Sequence, residues 1–93
     1  MKAFSRSTAK KVEFQLTAAP DGQAFLVGTF NQWDPAKHPM RTTPGSGLYR
    51  ISLLLMPGRY EYKFVVNGDW RTDPKCPDEV PNEMGTMNSV ITV

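Results

Sequence analysis

Hydrophobic and polar positions alternate with a period of two in three stretches of this chain. Val12, Phe14 and Leu16 interleave with Lys11, Glu13 and Gln15. Tyr49, Ile51, Leu53 and Leu55 share one face of Leu48–Leu55. Tyr60, Tyr62, Phe64 and Val66 oppose Arg59, Glu61 and Lys63. That period belongs to strands with one buried face. Ala24–Val27 adds a short apolar strand ending near Gly28, Asp69–Thr72 a short return strand, and Ser89–Val93 a closing strand. Pro20-Asp21-Gly22, Pro44–Gly47 and Pro57-Gly58 mark turns. Asn31–Pro39 reads as a loop, and Asp73–Gly85, with three prolines and four acids, as a long surface loop. Beyond Ala19 no stretch free of Gly and Pro exceeds nine residues, short of the ~11–12 of a mean helix. The predicted fold is all-β: an immunoglobulin-like (early-set) antiparallel sandwich of about seven short strands.

One turn fixes side-chain directions. Asn67-Gly68 suits a two-residue type I′ hairpin, in which both central residues take positive φ. Val66 then pairs with Asp69, and Val65 with Trp70. Directly opposite residues share a face, and Val65 shares one with Lys63. Trp70 is therefore expected to project outward on the Lys63 face, away from the Tyr60/Tyr62/Phe64 side. Such an indole either caps the edge of a small sheet or forms a flat platform for a ligand. A sugar ring suits a platform: its C–H face stacks on an indole while Lys, Asn and Thr bond the hydroxyl rim. Trp33 sits in a polar loop, either as a lid on the core or as a second platform. Thr86 and Asn88 stand at the entrance to the last strand, where turn chemistry is the ordinary role. Asn31 reads as a structural turn residue.

Composition narrows the function. Ninety-three residues make one small domain, too short for a core and a deep catalytic cleft together. The net charge of +2 is unevenly placed: Lys2, Arg6, Lys10 and Lys11 leave seven basic against nine acidic residues in the remainder. The expected organisation is a basic tail over 1–10 and a mildly acidic domain over 11–93, which disfavours nucleic acid as partner. The lone Cys76 permits no internal disulfide. The first 19 residues lack an apolar signal core, and no apolar run is long enough to span a membrane. A cytoplasmic setting is expected. His38 has no evident partner and reads as solvated. Asp73, Asp78, Glu79 and Glu83 read as solubilising loop acids, and no spacing suits a metal, a nucleophile or a phosphate loop. The expectation is no catalytic residue, no metal and no cofactor.

Several segments, taken in order, resemble a family. They are Val27-Gly28-Thr29-Phe30-Asn31-Gln32-Trp33, Tyr60 through Trp70, Asp73-Pro74, and Gly85 through Val93. Together they resemble the family 48 carbohydrate-binding modules, which include the glycogen-binding domain of AMP-activated protein kinase β subunits and the N-terminal modules of isoamylases and branching enzymes. The resemblance spans about Lys11 to Val93. It implies a sandwich that binds α-1,4-glucans such as glycogen or starch without catalysis. It implies Trp33, Trp70, Lys63 and Asn88 as ligand groups, with Thr86 nearby and Met84 as an apolar loop contact. The loop Asp34–Pro39 departs from the family pattern and bears on how Trp33 is posed. The chain ends at its last strand, so the expectation is either a module acting in trans or part of a longer protein. Two rival readings stay open: a module that docks a glycogen-metabolising enzyme or kinase without binding sugar, and a small hydrolase.

Overall fold

The computed structural model describes residues 8–93. The basic tail expected over 1–10 lies mostly outside them; Lys10 belongs to the first strand. Eight strands follow in chain order: β1 Lys10–Thr17, β2 Ala24–Gly28, β3 Arg41–Thr42, β4 Leu48–Leu55, β5 Arg59–Val66, β6 Asp69–Arg71, β7 Glu79–Pro81 and β8 Met87–Thr92. They form two antiparallel sheets, one ordered β1-β4-β3 and the other β2-β5-β8-β7, with β6 also paired to β5. The alternating stretches became β1, β4 and β5. Two strands escaped the sequence reading. β3 is two residues long and β7 three, too short to carry a period. β7 lies inside the segment read as a continuous loop over Asp73–Gly85. Its Pro81 is tolerated because β7 is an edge strand, needing no ladder bond on its open side.

The sheets meet through their alternate side chains. Phe14 and Leu16 of β1, Tyr49 and Leu55 of β4, Leu26 of β2, and Tyr62, Phe64 and Val66 of β5 belong to one buried cluster. Phe14 and Tyr62 touch edge to face across the sandwich, their centroids 5.0 Å apart. The Tyr49 hydroxyl ties down the turn after β1, donating to the Ala19 carbonyl at 2.7 Å and accepting from the Gly22 amide at 3.0 Å.

β5 is the organising strand. Along one edge β2 pairs with it over Tyr62–Val66. Along the other edge β8 covers Arg59–Tyr62 and β6 covers Phe64–Val66. Lys63 falls between those two partners. The hairpin register is the predicted one: Val65 opposes Trp70 and Val66 opposes Asp69. Asn67 and Gly68 have φ of 50° and 87°, as a type I′ turn requires.

One loop residue behaves unlike its sequence reading. Asp73 is buried, not a solubilising acid. It accepts the Tyr62 hydroxyl at 2.7 Å, and its amide donates to Ser89 Oγ at 2.8 Å. It thus fastens the segment after β6 to β5 and β8. Cys76 is half-buried, its thiol 3.1 Å from the Val90 carbonyl. Burial, followed by the Asp73 hydrogen bond and charge, pushes the Tyr62 phenol far above its ordinary value near 10. The sign follows from linkage. The unfolded chain releases this proton above about pH 10 and the folded chain keeps it, so the contribution is complete below pH 10 and is lost as pH rises. Unfolding free energies from urea titrations between pH 10 and 12 should fall more steeply with pH for the wild type than for Tyr62→Phe.

Candidate functional site

The segment Gly28–Trp33 shows what each residue of Gly-x-Phe-Asn-x-Trp does. At Gly28 a Cβ would lie 2.6 Å from the Glu61 carbonyl and 2.7 Å from the Phe30 ring, so only glycine fits. Phe30 turns inward against Phe14 and Tyr60, with centroids 6.0 and 6.1 Å away. Asn31, only 2% exposed, ties the turn together. Its Oδ1 accepts the Gly28 amide at 3.0 Å, and its Nδ2 donates to the Leu26 carbonyl at 3.0 Å and meets His38 Nδ1 at 2.8 Å. His38 is therefore not the unpartnered, solvated side chain expected; its ring also packs edge-on against Phe30. Asn31 has the structural role read from the sequence.

With Phe30 and Asn31 anchored, the chain must turn outward abruptly. Gln32 and Trp33 both take left-handed backbone, φ 57° and 58°. Each costs roughly 1–2 kcal/mol for a residue with a Cβ, and a bulky residue there is an outlier. The Trp33 amide closes the turn onto the Gly28 carbonyl at 3.0 Å. Strain of this kind concentrates where side-chain placement matters. Trp33 is half-buried and stands outside the core cluster.

Trp33 leaves the β2 side of β5, and Trp70 stands on the β6 side. Between them the surface is concave, with a volume of about 1030 Å³. All six residues singled out from the sequence line this groove: Trp33, Lys63, Trp70, Met84, Thr86 and Asn88. Trp70 is 48% exposed and Met84, at the tip of the β7–β8 turn, 88%. Lys63 points outward as expected yet is only 8% exposed, because the β7–β8 turn closes over it. Its ammonium donates to Thr86 Oγ1 at 3.0 Å.

Sequence reading missed Asn82, Glu61 and Thr29, which also line the groove. Asn82 Oδ1 accepts the Met84 and Thr86 amides at 2.9 and 3.1 Å, forming an Asx-type turn. Its Nδ2 donates to Thr86 Oγ1 at 2.7 Å and to Asn88 Oδ1 at 2.9 Å. Asn88 Nδ2 donates to Glu61 Oε1 at 3.0 Å, and Arg59 holds Glu61 Oε2 at 3.2 Å. The Pro81-Asn82 step before Gly85 was the available signal, since Asn commonly opens such turns.

The arrangement offers aromatic faces at two sides and polar hydrogens between them. Among the described residues no cluster of His, Cys, Asp or Glu could hold a metal, and no helix is long and apolar enough to cross a membrane.

The chain is 36% identical over 74 residues to the rice protein FLOURY ENDOSPERM 6, chloroplastic, covering 80% of this chain and 13% of that one. It is 35% identical over 72 residues to the pig 5′-AMP-activated protein kinase subunit beta-1, covering 76% and 54%. The chain thus spans from about an eighth to about half the length of these relatives. In fold it matches a maltogenic amylase from S. marinus, with a TM-score of 0.70 at 20% identity over 89% of this chain and 13% of that one. The sequence profile described as the glycogen recognition site of AMP-activated protein kinase matches residues 12–93, nearly the whole of the sandwich, and the chain belongs to that family.

Proposed function

We propose that the groove binds α-1,4-glucans such as glycogen, starch and maltooligosaccharides, without catalysis, through one domain over residues 11–93. Trp33 and Trp70 stack on glucose units, Lys63, Thr86 and Asn88 bond hydroxyls, and Met84 reaches over the ligand from its turn. The observation that carries this reading is the pair of tryptophans flanking an outward-facing, buried lysine on one groove. An amphipathic ring with an apolar face and a hydroxyl rim fits that pairing. Family membership supports the same ligand class. The relatives named as kinase subunits and chloroplastic proteins support a role in which the domain brings a larger protein to glucan. For the compartment the proposal is the cytoplasm, on the single half-buried thiol.

Titration of tryptophan fluorescence with β-cyclodextrin tests the reading, with cellobiose as control. The expected result is a saturable change with cyclodextrin alone, with a Kd of about 10 μM to 1 mM for a shallow, wet site. No response at millimolar cyclodextrin sinks it. The half-exposed Trp70 and the exposed Met84 favour one second reading, a docking surface for an enzyme or kinase. That reading predicts a stable protein complex and a silent sugar titration.

A further inference from the structure

The hydrogen-bond directions in the groove can be assigned by counting, because both ends of the chain of contacts are fixed. Asn82 Oδ1 faces two backbone amides, those of Met84 and Thr86, and backbone amides only donate. The Asn82 amide therefore has one possible orientation, with Nδ2 toward Thr86 Oγ1 and Asn88 Oδ1. At the far end Glu61 Oε1, a carboxylate oxygen, accepts from Asn88 Nδ2, which fixes the Asn88 amide in the same sense. Thr86 Oγ1 then receives two hydrogens, one from Asn82 and one from the Lys63 ammonium, which has nothing to accept with. Both lone pairs of that hydroxyl are used. Its own proton has to point away from both donors, and Thr86 itself lines the groove.

From this we infer that Asn82 is a positioning residue that sets the polarity of the groove. It makes Thr86 a donor to the ligand and never an acceptor, and together with Glu61 it holds Asn88 with one amide hydrogen toward that carboxylate. The inference rests on the glucan reading and deepens it. Thr86 and the remaining Lys63 hydrogens must meet oxygen lone pairs of the sugar, so the hydroxyls contacted there bind as acceptors and direct their own hydrogens elsewhere.

Asn82→Ser and Asn82→Asp test the assignment. Both keep an oxygen that can accept the Met84 amide, as Ser and Asp do in turns, and both lose the Nδ2 donor. In the Asp variant the Thr86 hydroxyl turns back to donate to the new carboxylate. β-Cyclodextrin titrations should show about tenfold weaker binding for either variant, with melting temperatures within a few degrees of wild type and Met84 and Thr86 amide signals retained. Thr86→Val should lose about fivefold, as for one hydrogen bond, and Thr86→Ser, which restores the hydroxyl, should recover most of that loss. Adding Asn82→Ser to Thr86→Val should cost about twofold or less further, since coupled residues are not additive. Wild-type affinity in both Asn82 variants, or an equal loss in the Thr86→Val background, overturns the inference while leaving the glucan reading intact. A wild-type protein that ignores cyclodextrin overturns that reading itself. Should one Asn82 variant fail to fold, the other carries the cycle, and the Thr86→Val/Thr86→Ser pair tests the donor assignment alone.

Discussion

Trp70→Ala is expected to weaken β-cyclodextrin binding by about ten- to a hundredfold, in line with the ~1–3 kcal/mol that stacking on an aromatic ring contributes elsewhere. The same substitution should leave the melting temperature nearly unchanged. Trp70 lies on the three-residue β6, its backbone paired through the hairpin and the residue 48% exposed. Truncation therefore removes ligand contact area and little packing. Its counterpart at Trp33 separates stability from binding in another way. Trp33 holds a left-handed backbone at φ 58°, which glycine adopts freely. Trp33→Gly should bind as poorly as Trp33→Ala but melt higher than the Ala variant, by up to about 1 kcal/mol of relieved strain. Calorimetric titration and thermal melts of the three variants check both statements. Wild-type affinity in Trp70→Ala would remove the platform role.

Asn31→Ala should be the most destabilising polar substitution in the domain. The side chain satisfies the Gly28 amide and the Leu26 carbonyl in the interior and meets His38. Deleting it strands buried backbone groups, each costing about 1–3 kcal/mol. A total near 2–4 kcal/mol is expected, or about 10–20 °C in melting temperature for a domain of this size. Trp33 stands two residues on, so glucan affinity should fall as well. A melt within a few degrees of wild type would show that the turn holds without its amide.

These two variants also mark how far the sequence could be read. The outward Trp70 was legible because a two-residue Asn-Gly loop fixes strand register, and register fixes which side chains share a face. The same local logic placed Tyr60, Tyr62, Phe64 and Val66 toward the core and Asn31 in a structural role. The six groove residues were legible mainly through resemblance; only Trp70 and Lys63 followed from strand geometry. The burial of Lys63 could not be foreseen from its own strand. It depends on a turn about twenty residues downstream, brought over it when β8 pairs with β5. Asn82 announced a turn and no more, for the same reason: its partners Asn88 and Thr86 meet Glu61 and Lys63 only after that pairing. Asp73 read as a solvated acid because nothing near it in sequence announces Tyr62. His38 read as solvated because its partner Asn31 lies across a loop of irregular backbone.

The sequence by itself determined the strand class, the hairpin register and the outward indole, because turn chemistry and a period of two act over a few neighbouring residues. The tertiary structure alone decided that two tryptophans flank a buried lysine and that one asparagine orients the polar groups between them. Those relations depend on loops meeting across β5, where the free energy of closing the chain is offset by a core assembled from both sheets.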